Sequence, residues 1–117
     1  MEVVRGAGEF TSPGRAPNHY AEHLRAAALS VGTYSIPAGG VDDQPPHSED
    51  EVYVVTAGSA TLRAAGETAA LQPGSVIYVP AGEEHRFTDV SEDLSLVVVF
   101  APPYPAGRPT APDAQPA

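Results

Sequence analysis

The sequence predicts an all-β domain, a sandwich or barrel of seven or eight short strands with little helix. Two observations carry that prediction. Short runs rich in Val, Ile, Leu, Thr, Tyr and Phe recur along the middle of the chain, and no long 3.6-residue apolar period competes with them. Most of the runs are closed by a Gly- or Pro-containing break, which is the turn chemistry of antiparallel strands. At 117 residues the chain has the length of one domain.

The elements follow in order. Residues 1–19 read as an N-terminal strand or loop arm, with a short strand placed either at Glu2–Arg5 or near Tyr20–Leu24, and a Gly/Pro-punctuated loop at Thr11–Asn18. Tyr20–Leu29 (YAEHLRAAAL) also fits a helix, because its Ala run is a strong helix former. On a helix, His19 and His23 would share a face; two imidazoles alone fall short of the three protein ligands an ion such as zinc wants. The strand runs are Leu29–Ile36, Glu51–Thr56, Ala60–Ala64, Thr68–Leu71, Ser75–Val79, Arg86–Asp89 and Leu94–Phe100. Between them lie the breaks PAGG (37–40), AG (57–58), AG (65–66), QPG (72–74) and PAG (80–82). The barrel is expected over residues 20–101. Residues 102–117, with six prolines and no apolar period, read as a flexible Pro/Ala-rich tail.

Charge excludes several functions. The net charge is -9 and the pI about 4.6, so phosphate backbones and anionic membrane surfaces repel the chain, and neither nucleic acid nor membrane is an expected partner. No apolar run approaches a membrane span, and the opening MEVVRGAGEF has no apolar signal core. A cytoplasmic location is the expectation. Cysteine is absent and all six basic residues are Arg, which removes disulfides, thiolate chemistry, Schiff bases and a phosphate-loop lysine.

Three residues stand out: His47, Glu51 and His85. In an extended HSEDE segment side chains alternate, so His47, Glu49 and Glu51 share a face, and that face continues through Tyr53 and Val55. His85 follows the PAGEE turn, and Phe87 and Asp89 share its side of the next strand. Two neutral imidazoles and one carboxylate can hold one divalent ion while leaving coordination positions open; Fe, Mn, Ni and Zn all suit such a set. Gln44, Tyr53, Phe87 and Asp89 are the candidate pocket or supporting residues, with Asp89 able to orient the His85 ring. Taken singly, Asp42, Asp43, Glu49, Asp50 and Glu51 also fit a solvated acidic loop, and Arg63 and Arg86 a plain surface.

These segments resemble the two motifs of the cupin superfamily. In Gly74–Asp89, Gly74, Pro80, Gly82 and His85 stand at the spacing of the second motif, with Asp89 where the family closes on Asn. In Gly40–Gly58, His47, Glu51 and Gly58 match the first motif, but Pro45 takes the place of its first histidine. The resemblance covers about half the chain. It implies a small single-domain cupin: a double-stranded β-helix, or jelly roll, of two packed antiparallel sheets. It also implies a homodimer and a metal centre of His47, Glu51 and His85 that lacks the fourth ligand. The functional expectation is a metal-dependent enzyme acting on a small oxygenated organic molecule by dioxygenase- or isomerase-type chemistry. The alternative is a non-catalytic small-molecule-binding or sensor domain with a depleted site.

Overall fold

The computed structural model describes residues 1–105; residues 106–117, which hold most of the expected tail, lie outside the described residues. Eight strands follow in order: β1 (His19–Arg25), β2 (Ser30–Ile36), β3 (Asp50–Ala57), β4 (Ala60–Ala64), β5 (Glu67–Leu71), β6 (Val76–Val79), β7 (His85–Thr88) and β8 (Leu94–Ala101). They form two antiparallel sheets, one ordered β1-β2-β8-β3-β6 and one ordered β5-β4-β7. This is the all-β, two-sheet architecture expected from the sequence. Among the described residues no helix is long and apolar enough to cross a membrane.

The period-two pattern decides which side chains meet between the sheets. Glu51, Tyr53 and Val55 of β3, His85 and Phe87 of β7, and Leu94, Leu96, Val98 and Phe100 of β8 all point inward and are buried. With Tyr34, Ile36, Leu62, Leu71 and Val79 the apolar members of this set make one contiguous core, and Glu51 and His85 are buried beside it. Each fully buried apolar side chain of this size contributes roughly 1.5–3 kcal/mol over its exposed state. The site is therefore built into the main source of stability and not appended to it.

The helical alternative for Tyr20–Leu29 is overturned. His19–Arg25 is a strand in register with β2, His19 opposite Ser35 and Arg25 opposite Ser30. Pairing wins over the propensity of the Ala run because the strand buries Tyr20 against Phe100, ring centroids 6.0 Å apart. His23 then bonds Thr33 Oγ1 at 2.6 Å and forms no cluster with His19. Glu2–Arg5 is not a strand. The N-terminal segment instead crosses the face of the large sheet that looks away from the core. Thr56 Oγ1 and Ser95 Oγ each donate to the Gly8 carbonyl at 2.6 Å, and Gly8 N–H donates to Thr33 Oγ1 at 2.8 Å. A side chain at Gly8 would collide with Thr56, and its φ of +85° favours glycine in any case.

Candidate metal centre

Glu51 and His85 come from different sheets, and His47 from the loop that leads into β3. The loop is fixed at both ends of the site. Gly82 N–H donates to the His47 carbonyl at 2.6 Å, and Ala81 N–H donates to Asp50 Oδ1 at 2.8 Å. The turn at residues 80–82 that delivers His85 is thereby stitched to the loop that delivers His47. Asp42 adds a third tie. It is 2 % exposed and accepts from Tyr34 OH at 2.8 Å and from Phe87 N–H at 2.9 Å. Burial pushes its carboxyl up from the ordinary range, against the pull of these hydrogen bonds. Of the five acids that fitted a solvated loop, Asp42, Glu49 and Glu51 are buried, Asp50 is half-buried and Asp43 alone is exposed.

At the centre, one ligand atom from each of His47, Glu51 and His85 lies within 4.8 Å of the others. Glu51 Oε1 is 3.0 Å from His85 Nε2 and 4.0 Å from His47 Nε2, with all three side chains buried. His85 Nδ1 is 2.9 Å from the Glu83 carbonyl, an acceptor, so Nδ1 carries the proton and Nε2 faces the cluster. Burial by itself would lower the pKa of His85. The protonated ring donates from Nε2 to Glu51 as well as from Nδ1 to the Glu83 carbonyl, beside the charges of Glu51 and Asp42; this outweighs burial, and the net direction is up.

The residues fit a divalent cation. His47 Nε2 and Glu51 Oε2 are buried without a hydrogen-bond partner among the described residues, and such orphans cost about 1–3 kcal/mol each. Both belong to the converging set, and nitrogen plus carboxylate oxygen is a donor set that divalent transition ions accept. The His47 ring is held by neighbouring rings: Phe100 at 5.3 Å and Tyr104 at 4.9 Å, both edge-on.

Tyr53 and Phe87 stand where alternation puts them. Tyr53 OH is 2.9 Å from His85 Nε2, and its burial and the adjacent Glu51 keep the phenol protonated. Phe87 packs edge-on against the Tyr53 ring at 5.0 Å and backs the site. Gln44 and Asp89 do not join them. Gln44 is half-buried, and its side-chain amide lies 3.4 Å from Asp43 Oδ1. Asp89 has φ +51° and is exposed; β7 ends at Thr88, so the alternation that would aim Asp89 at His85 no longer applies. The Glu83 carbonyl does the orienting that was expected of Asp89. Asp42 and Tyr104 were not singled out from the sequence. The one local signal for Tyr104 is an aromatic residue set in a Pro-rich run just beyond the last strand.

Comparison with known proteins identifies the family of this barrel. Residues 32–100 match the Cupin domain family, and the chain belongs to that family. It is 49% identical over 84 residues to the uncharacterized protein SCO3923 of Streptomyces coelicolor, covering 72% of this chain and 80% of that one. Among solved structures, TT1209 from Thermus thermophilus superposes with a TM-score of 0.68 at 24% identity, over 79% of this chain and 88% of that one. KdgF from Halomonas sp. gives 0.67 at 20%, over 80% and 85%. A predicted oxalate decarboxylase from Thermotoga maritima gives 0.63 at 20%, over 72% and 79%. At these identities the likeness to the solved structures establishes the fold.

Proposed function

We propose that this cupin is a metal-dependent enzyme acting on a small oxygenated organic molecule. The convergence of His47 Nε2, His85 Nε2 and a Glu51 oxygen carries the reading, because two of these side chains keep a buried polar atom without a partner among the described residues. His47, Glu51 and His85 would hold one divalent ion, Fe, Mn, Ni or Zn. When bound, it supplies Lewis acidity and, for Fe, access to oxygen chemistry. The chain itself contributes three things. The ring contacts around His47 exclude water from one side. The Glu83 carbonyl keeps the His85 proton on Nδ1. Tyr53 holds a phenolic proton 2.9 Å from His85 Nε2, within hydrogen-bond reach of a ligand oxygen placed at the cluster. The neighbour named as a predicted oxalate decarboxylase supports a small oxygen-rich substrate.

Pro45, standing where the family motif has its first histidine, favours a second reading: a binding or sensor domain that retains the pocket and has lost the chemistry. Elemental analysis of the purified protein separates the two. Near-stoichiometric metal, lost in both His47→Ala and His85→Ala, supports the enzyme. Protein that stays metal-free, with a melting temperature unmoved by added Fe, Mn, Ni or Zn, supports the binding domain and refutes the metal centre.

A further inference from the structure

We propose that Tyr104 is a positioning residue: it roofs the site and holds the His47 ring with Nε2 turned toward Glu51. The proposal rests on the metal reading above for its consequence, but its geometry stands apart from it. Beyond β8 the chain turns through Pro102 and Pro103 and brings Tyr104 back over the end of the barrel. Its ring sits 4.9 Å from His47, edge-on, and 4.9 Å from Phe100 at 33°. Phe100 in turn meets the His47 ring at 5.3 Å and 83°. The three ring centroids make a near-equilateral triangle, so Phe100 and Tyr104 together form an aromatic wall against which the His47 ring packs, and among the described residues no hydrogen bond to its Nε2 fixes the rotamer.

The roof is latched at its backbone. Tyr104 N–H donates to Ser30 Oγ at 3.1 Å, and the Arg25 guanidinium donates to the Tyr104 carbonyl. Arg25 also pairs with Glu22 at 3.3 Å, which ties the latch to β1. Ring-on-ring packing of this kind adds roughly 0.5–1.5 kcal/mol per pair beyond area burial, enough to set one rotamer over another by threefold to tenfold. Tyr104 therefore bears on the ligand geometry.

The test uses the full chain and the variants Tyr104→Ala, Tyr104→Phe, Arg25→Met and His47→Ala. In the metal-free protein, a nuclear Overhauser contact between the His47 and Phe100 rings reports whether the ring stays seated. It is expected to persist in wild type and Tyr104→Phe and to weaken at least threefold in Tyr104→Ala. An unchanged contact in Tyr104→Ala overturns the proposal, whatever the protein does with metal. Cobalt(II) titration followed by its visible spectrum is the second readout. Tyr104→Ala is expected to bind about threefold to tenfold more weakly with an altered band, Tyr104→Phe within about twofold of wild type, and Arg25→Met in between. Equal affinity and an identical spectrum in Tyr104→Ala also overturn it. Wild type that takes up no cobalt refutes the metal centre and leaves the ring contact to decide the role of Tyr104. Should Tyr104→Ala fail to fold by circular dichroism, Arg25→Met carries the test, and a His47–Phe100 contact unchanged there counts against the proposal.

Discussion

Replacing Asp42 with alanine distinguishes a structural carboxylate from a solvated one by the sign of the effect. In a chain of net charge -9, removing an exposed acid relieves repulsion and should leave stability unchanged or raise it by up to about 0.5 kcal/mol. Asp42 is not exposed. Its loss strands the Tyr34 hydroxyl and the Phe87 amide, whose bonds to it are 2.8 and 2.9 Å long, at about 1–3 kcal/mol each. Relief of the burial that raises the Asp42 carboxyl returns part of that. The net expectation is about 3 kcal/mol of destabilisation. At roughly 4 °C per kcal/mol for a domain near this size, the melting temperature falls by about 12 °C. Urea unfolding at pH 7 reads the free energy, with Glu2→Ala as the exposed-acid control expected within about 0.5 kcal/mol of wild type. An Asp42→Ala protein as stable as the control would refute the claim that this residue ties the loop before β3 to β7.

Gly58→Ala should destabilise by about 3 kcal/mol or fail to fold, since a Cβ there meets the Asp93 carbonyl oxygen and, at 2.8 Å, Leu94 Cα, with φ at +86°; thermal unfolding checks it. Ser95→Ala removes one of two donors to the Gly8 carbonyl and should cost about 1 kcal/mol, with faster amide exchange at Gly8 as its local signature. Metal content after dialysis at stepped pH should fall as pH drops, beginning above the ordinary histidine range because the His85 pKa is raised; full retention at pH 4 would exclude these imidazoles as ligands. In the metal-free chain the same raised pKa stabilises the fold. That contribution is complete below the unfolded histidine value of about 6.5 and is lost as pH rises through the folded value; melts of His85→Gln against wild type should converge at high pH.

What could be read from the sequence was local. The seven runs from Leu29 to Phe100 match β2 to β8 within one residue at each end, because alternation and Gly/Pro breaks are set by neighbours along the chain. The same alternation put Glu51, Tyr53, His85 and Phe87 on inward faces. It misled at Asp89, where a positive φ ends the strand, and could not settle β1, whose side chains are mostly half-buried and show no clean two-sided pattern. Asp42 and Tyr104 were invisible for another reason. Asp42 meets Phe87 across 45 residues, and Tyr104 meets Ser30 across 74, and nothing in either residue's own neighbourhood announces such a partner. The carbonyl of Glu83, which sets the His85 tautomer, carries no side-chain identity to read.

Glu51 belongs to the five-stranded layer and His85 to the three-stranded one. An ion gripped by both would rivet one layer of the sandwich to the other. Opening the sandwich would then mean releasing the ion, so heat tolerance becomes a gauge of occupancy. Saturation at a hundred times the dissociation constant would add about 2.7 kcal/mol. A cell short of the right metal would hold the same polypeptide in a softer form.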